Sequence, residues 1–165
     1  MNYHKITTCD VANGPGIRVV LWTSGCDHHC KNCHNPETWD KDSGKPFDKK
    51  AVDKILVELS HEYIAGLTLS GGDPLFLSNR DTILGLVKEV KNRYPQKSIW
   101  LYTGYRYEQI KGEYLLDYVD VIVDGPYVDS LRDVSLPYCG SSNQRVIDVK
   151  ESKESQTIVL WKSNI

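Results

Sequence analysis

The sequence predicts an α/β protein, an incomplete and laterally open (β/α) barrel formed by a single domain. Short apolar runs alternate with segments of helical period, which is the pattern of β/α units. The chain of 165 residues allows four or five units of about 30 residues each, whereas a closed eight-unit barrel needs about 250. We expect the core over residues 1–150 and a C-terminal extension over residues 151–165.

The first predicted unit contains a cysteine-rich loop. Residues 17–22 (IRVVLW) predict a buried strand, and three cysteines follow it directly. Asp48 is the predicted N-cap of the next helix, and Gly66 is expected to end it. The apolar positions on one face of this helix are Val52, Ile55, Leu56, Leu59 and Ile64. The next strand is predicted over residues 67–70.

The remaining segments continue the alternation. Ser78 and Asp81 resemble a capping pair that begins a second helix, which Pro95 closes. The apolar face of that helix carries Ile83, Leu84, Leu86, Val87 and Val90. Four further strands are predicted over residues 98–102, 119–123, 145–149 and 157–161. A helix over residues 108–118 separates the first two, and a polar turn over residues 151–155 joins the last two.

Composition and charge argue against several classes of protein. Twenty Lys and Arg against 22 Asp and Glu give a net charge of −2 without a long basic run, which argues against a nucleic-acid partner. No apolar stretch approaches the about 18–20 residues that span a bilayer. The N-terminus lacks the apolar segment of a signal peptide, and five cysteines with three clustered do not suit a secreted disulfide framework. We therefore expect a cytoplasmic protein.

The cysteine loop is the main candidate for chemistry. Cys26, Cys30 and Cys33 form a C-x₃-C-x₂-C run, so close that all three sulfurs can converge on one small object. Structural zinc takes four protein ligands, whereas three thiolates on a four-iron cluster leave one iron open to a substrate or cofactor. We interpret the run as an open-site iron–sulfur cluster, with free thiols or zinc as alternatives. The histidines that could complete a zinc site are His28, His29 and His34.

Gly-rich segments follow the other predicted parallel strands. They are residues 71–74 (GGDP), 103–105 (TGY) and 124–127 (DGPY). Because sites form at the carboxyl ends of parallel strands, we expect all of them beside the cysteine loop. The glycines let main chain approach a ligand, and bare carbonyls with the Asp73 carboxylate suit an ammonium group. Taken alone, GGDP is better explained as an ordinary turn, but its place at a strand end, downstream of the three cysteines, favours a binding segment. We also expect His34 to donate to cluster sulfur.

Several other polar positions keep two interpretations. Arg18 follows a Gly-Pro-Gly turn and is either a surface arginine or a rim residue that meets an anion or a partner's backbone. The polar cluster at residues 140–145 is either a solvated loop or a contact with cofactor or partner. Cys9 and Cys139 are interpreted as small buried thiols. The sequence assigns no contact to Arg18, Thr103 or Asn143.

Six segments together resemble the radical S-adenosylmethionine superfamily and, within it, the activating proteins of anaerobic ribonucleoside-triphosphate reductases. They are residues 13–18 (NGPGIR), 33–39 (CHNPETW), 70–75 (SGGDPL), 102–105 (YTGY), 123–125 (VDG) and 140–144 (GSSNQ). The resemblance runs from about residue 1 to residue 149. This combination is far more specific than the cysteine run alone.

The resemblance implies a radical-SAM-type barrel with a [4Fe-4S] cluster on Cys26, Cys30 and Cys33. The free iron would take the amino and carboxylate groups of S-adenosylmethionine. The implied cofactor-binding residues are Asn32, Cys33 and His34, whose main chain would meet the adenine, and Gly71, Gly72, Asp73 and Pro74, which would hold the methionine end.

The resemblance also implies a reaction and a partner. An electron from an external donor such as flavodoxin would pass through the cluster and cleave the cofactor to methionine and a 5′-deoxyadenosyl radical. That radical would take hydrogen from one glycine of the large reductase subunit and leave a glycyl radical there. No catalytic acid or base is expected, because the cofactor supplies the chemistry. The alternatives are an activase of another glycyl-radical enzyme, a small radical enzyme acting on a metabolite, and a zinc-binding module without catalysis.

Overall fold

The computed structural model describes residues 1–163, which contain one mixed sheet of eight strands. The strands are β1 (Asn2–Asp10), β2 (Ile17–Thr23), β3 (Lys45–Pro46), β4 (Ile64–Gly71), β5 (Ser98–Tyr102), β6 (Val121–Asp124), β7 (Arg145–Asp148) and β8 (Val159–Leu160). The α-helices are α1 (Lys49–Leu59), α2 (Arg80–Arg93), α3 (Tyr107–Ile110) and α4 (Val149–Ser155). Within residues 1–163, none of the helices has the length and apolarity that a bilayer span requires.

The sheet has a parallel centre and antiparallel flanks. Its order is β3-β1-β2-β4-β5-β6-β7-β8, and β2, β4, β5 and β6 are parallel neighbours. On the flanks, β1 and β3 pair antiparallel beside β2, while β7 and β8 pair antiparallel beside β6. The sheet ends at β3 and β8 and is therefore open. The α/β class is confirmed, and the parallel β/α alternation holds for the four central strands.

The two faces of the sheet carry different side chains, because successive residues of a strand point to opposite faces. The helix face buries apolar side chains against the helices; its strand residues include Val19, Leu21, Leu67, Leu69, Ile99, Leu101, Ile122 and Ile147. The loop face is the other one; its strand residues include Arg18, Trp22, Thr68, Ser70, Trp100, Tyr102, Val121 and Val123. The helix face therefore forms the main core, and on the loop face Trp100, Val121 and Val123 form a smaller apolar cluster with Tyr138, Cys139 and Trp161.

Some predicted helix boundaries are wrong. Ile64 and Gly66 belong to β4 rather than to the preceding helix, because residues 64–71 pair with β2. The predicted cap of α1 is confirmed, since the Asp48 side chain accepts from the Ala51 amide at 3.0 Å. The N-cap residue of α2 is Asn79 rather than Ser78. The side-chain amide of Asn79 donates to the Ser24 carbonyl at 2.8 Å.

The C-terminal elements also differ from the prediction. Residues 151–155 form most of α4 rather than a turn, because the Asp148 side chain caps the helix by accepting from the Glu151 amide at 2.8 Å. The predicted helix over residues 108–118 is two short pieces, α3 and a 3-10 helix over Tyr114–Asp117. The predicted strand over residues 157–161 is only two residues long. Strands β1 and β3 were not predicted.

Candidate metal and cofactor site

A cavity of about 440 Å³ opens on the loop face, at the carboxyl ends of β2, β4, β5 and β6. Segments that follow all four parallel strands line it. They include Cys26, Cys30 and Cys33 after β2, Gly71 and Gly72 at the end of β4, Thr103 and Gly104 after β5, and Gly125 and Tyr127 after β6. The structure thus brings the predicted strand-end segments together around one space.

The three cysteines of the loop are partly buried. The Asn35 main-chain amide donates to Cys33 Sγ at 3.4 Å. Burial raises the pKa of the Cys26 thiol to about 11 and also raises the pKa of Cys30, and the main-chain amides of His28 and Tyr127 oppose the effect at Cys26 and Cys30, respectively. Amide donors directed at sulfur are what a thiolate-bound cluster uses to offset its negative charge.

The cysteine loop folds tightly to bring these sulfurs into one cavity. His29 and Asn32 have positive φ angles of 45° and 56°, the left-handed conformation that non-glycine residues adopt mainly in tight turns. The Cys26 amide donates to the Trp39 carbonyl at 3.0 Å, so the segment after the loop is fastened to its beginning. Within residues 1–163, no three His, Cys, Asp or Glu side chains form a group for a single metal ion. A four-iron cluster does not require three side chains around one ion, because its three thiolates bind three different irons.

The two glycines of the GGDP segment are required by protein contacts. Gly71 has φ of +104°, and a Cβ there would lie 2.5 Å from the Thr23 amide nitrogen. A Cβ on Gly72 would lie 2.5 Å from the Gly25 carbonyl oxygen. The main chain of this segment is therefore pressed against the start of the cysteine loop, while it still lines the cavity. Close approach explains the glycines, as predicted, but the neighbour seen here is protein.

Asp73 is buried and its carboxylate is fully used by protein donors. His28 Nε2 lies 2.7 Å from Oδ2, and the Gly104 amide donates to the same oxygen at 3.0 Å. The Thr103 hydroxyl lies within 3.0 Å of both oxygens, and the Leu75 amide donates to Oδ1 at 2.8 Å. The carboxylate oxygens are thus held by protein donors, while the neighbouring Gly71 and Gly72 line the cavity. The hydrogen bond to Asp73 also raises the pKa of His28.

The seven residues predicted to bind cofactor divide into two groups. Those that line the cavity are Cys33, His34, Gly71 and Gly72, and those outside its lining are Asn32, Asp73 and Pro74. The side-chain amide of Asn32 instead donates to the Asp129 carboxylate at 2.9 Å, and the Tyr127 hydroxyl donates to the same carboxylate at 3.0 Å. The loop after β6 is thereby tied to the cysteine loop. The His34 ring lies 5.6 Å from the Tyr127 ring, at the cavity wall.

Arg18 is neither a surface arginine nor a rim residue. Its side chain is fully buried on the loop face, and burial lowers its pKa to about 10. Its guanidinium donates to the Thr68 hydroxyl at 2.7 Å, the Leu67 carbonyl at 2.8 Å and the Ser98 carbonyl at 3.0 Å. Both earlier interpretations of Arg18 are therefore wrong. Its buried hydrogen bonds connect β2 to β4 and to the start of β5.

The polar cluster at residues 140–145 is ordered by its own hydrogen bonds rather than solvated. Gln144 donates to the Gly125 carbonyl at 3.0 Å and accepts from the Gly140 amide at 2.9 Å. Asn143 donates to the Pro126 carbonyl at 2.8 Å. The two remaining cysteines differ from each other, because Cys9 is exposed, against the prediction, whereas Cys139 is partly buried and lines the cavity.

The contacts of three residues of the site were not predicted from the sequence. Thr103 and His28 meet at the Asp73 carboxylate, a contact between residues 30 and 45 positions from it that no local pattern reveals. Trp39 also lines the cavity; its ring meets the His29 ring edge-on at 4.8 Å, and its buried Nε1 finds no acceptor among residues 1–163. The only sequence signal for Trp39 was its place at the end of residues 33–39.

Known proteins give an independent view of the same region. Residues 12–147 match the family described as "4Fe-4S single cluster domain". The chain is 50% identical over 146 residues to the anaerobic ribonucleoside-triphosphate reductase-activating protein of Enterobacteria phage T4, a match that covers 88% of this chain and 93% of the relative. Proteins of the same name from Vibrio cholerae and Escherichia coli are 44% and 43% identical, over 87% and 88% of this chain and 96% and 97% of the relatives.

Proposed function

Because the chain belongs to the family of anaerobic ribonucleoside-triphosphate reductase-activating proteins, we propose that it activates such a reductase by generating a glycyl radical on the large reductase subunit. We treat residues 1–165 as one radical-SAM domain whose open sheet is a partial barrel with its core over residues 1–150. The observation that carries the proposal is the cavity that the three loop cysteines line together with the strand-end glycines Gly71 and Gly72.

The residues present fit a [4Fe-4S] cluster held by Cys26, Cys30 and Cys33. All three line one cavity, and the Cys33 sulfur accepts a hydrogen bond from the Asn35 main-chain amide. The indole Nε1 of Trp39 is a buried donor without an acceptor in residues 1–163. A sulfur atom of the bound cluster would be a suitable acceptor for it. Three protein thiolates leave one iron of such a cluster free for a further ligand.

S-adenosylmethionine is the ligand we propose for that iron. When bound, the reduced cluster supplies the electron that cleaves the cofactor to methionine and a 5′-deoxyadenosyl radical. The volume of about 440 Å³ lies in the range of small-molecule sites. Gly71 and Gly72 present main chain without side chains to the cavity, where the methionine end would lie, and Cys33 and His34 line the wall proposed for the adenine.

The open side of the cavity suits a protein substrate. A primary carbon radical must be shielded from water and from stray hydrogen donors. The exposed apolar side chains Val11 and Val134 are 72% and 83% accessible, and each lies within two residues of a cavity-lining residue, Ala12 or Leu136. We propose that the reductase covers this side with its glycine segment. Electrons come from an external donor such as flavodoxin.

Electron paramagnetic resonance tests the proposal directly. Reconstituted protein, reductase, S-adenosylmethionine and a chemical reductant are mixed under argon, and a glycyl radical signal is expected. Cys30→Ala should lose both the brown cluster absorbance and the signal, whereas Cys9→Ala should keep both because Cys9 is exposed outside the cavity lining. A signal that survives Cys30→Ala would refute the cluster assignment. A colourless wild-type protein that retains zinc would favour a zinc-binding module.

A further inference from the structure

We propose that His28 is a positioning residue, which through Asp73 fixes the cysteine loop, and with it the cluster, against the Gly71–Gly72 segment. The inference rests on the proposed function and deepens it, because it concerns how S-adenosylmethionine is aligned with the open iron. It also gives the Asp73 carboxylate a function in holding the segments of the site together.

The hydrogen bonds of Asp73 join three segments of the site. His28 comes from the cysteine loop, and its Nε2 lies 2.7 Å from the Asp73 carboxylate. Thr103 and Gly104 come from the end of β5 and donate to the same carboxylate at 2.9 Å and 3.0 Å. Asp73 itself directly follows the two cavity-lining glycines. One buried carboxylate therefore sets the relative position of the cysteine loop, the glycine segment and the end of β5.

The imidazole ring is held tightly in this position. A Cβ on Gly104 would lie only 2.3 Å from His28 Cδ2, so the ring packs directly on the main chain of β5's end. The Tyr105 ring meets the imidazole edge-on, with 4.7 Å between ring centroids. Because the carboxylate can only accept, Nε2 must carry the proton of this hydrogen bond.

His28 is coupled to the cluster ligands by its own main chain. It lies midway between Cys26 and Cys30 in the chain, two residues from each. A rotation of the loop that broke the contact with Asp73 would also move these two sulfurs relative to Gly71 and Gly72. Reactions that depend on alignment lose about 100-fold in rate when the reacting groups are misplaced by about 1 Å.

The test compares His28→Leu, which removes the donor, with His28→Gln, whose side-chain amide can still donate to Asp73. We expect His28→Leu to retain about four irons per chain but to bind S-adenosylmethionine about tenfold more weakly, and His28→Gln to recover most of this affinity. The spectroscopic readout is the hyperfine coupling between the reduced cluster and an isotope-labelled methyl group of S-adenosylmethionine. This coupling should weaken and broaden in His28→Leu and return in His28→Gln.

Lys31→Gln is the matched control. Lys31 lies in the same loop, and its side chain is exposed. The control should keep the wild-type affinity and coupling. The inference is overturned if His28→Leu matches wild type in both measurements, or if His28→Leu folds but cannot hold iron, which would make His28 a support of the cluster itself. A wild-type cluster that binds no S-adenosylmethionine would overturn the proposed function as well.

Discussion

The two ends of the loop face, one around Arg18 and the other around Trp39 and the loop cysteines, differ in whether the chain supplies partners for their buried polar groups. At one end, the buried guanidinium of Arg18 is satisfied entirely by the chain, through Thr68 and the carbonyls of neighbouring strands. At the other end, the buried indole donor of Trp39 has no acceptor in residues 1–163, and the three loop cysteines are only partly covered. The first end is completed by folding, whereas the second is shaped for a group that folding does not supply.

This difference has a physical origin. A buried charge is tolerated only where hydrogen bonds replace the water it has lost, so Arg18 must find its partners within the fold. Its carbonyl acceptors belong to β4 and to the start of β5, which ties the centre of the sheet together. A binding site needs the reverse, donors and sulfurs held in place without internal partners. Substitutions at the first end should therefore cost stability, and those at the second should cost function.

Cys33→Ala should have the largest functional effect. The variant loses one of three proposed cluster ligands and should lose the cluster and the glycyl radical completely. Its apo form should unfold at nearly the same urea concentration as apo wild type, because Cys33 is outside the main core. Iron analysis, electron paramagnetic resonance and urea unfolding provide the three readouts. A strongly destabilised apo variant would contradict the contrast between the two ends.

Arg18→Met should have the largest effect on stability. The change leaves the Thr68 hydroxyl and two buried carbonyls without their donor, which we expect to cost about 3 kcal/mol or more in the free energy of unfolding. Urea unfolding of the apo protein measures this loss. Arg132→Met is the control, because Arg132 is exposed and should change stability by less than about 0.5 kcal/mol. Equal effects of the two variants would contradict the structural function assigned to Arg18.

Thr103→Val should have an intermediate effect on both stability and S-adenosylmethionine binding. The valine keeps the shape but removes the hydroxyl that donates to the buried Asp73 carboxylate. We expect a loss of about 1–3 kcal/mol in the free energy of unfolding, together with weaker S-adenosylmethionine binding. Urea unfolding of the apo protein and a binding titration of the reconstituted protein measure the two effects. Wild-type behaviour in both would show that Asp73 does not depend on this donor.

The smallest expected effect is a difference in stability between variants of two tryptophans that line the cavity. Trp22 Nε1 donates to the Thr7 hydroxyl at 3.0 Å, whereas Trp39 Nε1 has no acceptor in the part of the chain described. Replacement of each by Phe in the apo protein removes one indole N–H. We expect the Trp22 variant to lose about 1 kcal/mol more than the Trp39 variant, because only it gives up a hydrogen bond. A larger loss for the Trp39 variant would mean that its donor is satisfied.

The sequence predicts the centre of the fold better than its edges. Residues 17–22 and 98–102 are identifiable because a strand covered on both faces gives a continuous apolar run. Strand β1 escapes prediction because most of its residues are only partly buried, so neither a continuous nor an alternating apolar pattern results. The α4 helix escapes because its seven residues, VKESKES, are mainly polar, and only its cap at Asp148 marks its beginning.

The site shows the same division. The cysteines and glycines are visible in the sequence because each group is local, and strand order alone places them at one edge of the sheet. The partners of Asp73 cannot be predicted, because His28 and Thr103 come from other strand ends and meet only in three dimensions. Arg18 was misjudged for a similar reason, since a glycine-rich turn suggests a surface, whereas the side chain enters the sheet interior.

The central claim is that Cys26, Cys30 and Cys33 hold a four-iron cluster with one iron left for S-adenosylmethionine. Mössbauer spectroscopy of protein reconstituted with isotopically enriched iron tests it most directly. On addition of S-adenosylmethionine, one iron in about four should acquire distinct parameters while the other three stay unchanged. A spectrum that is identical with and without the cofactor would contradict the claim.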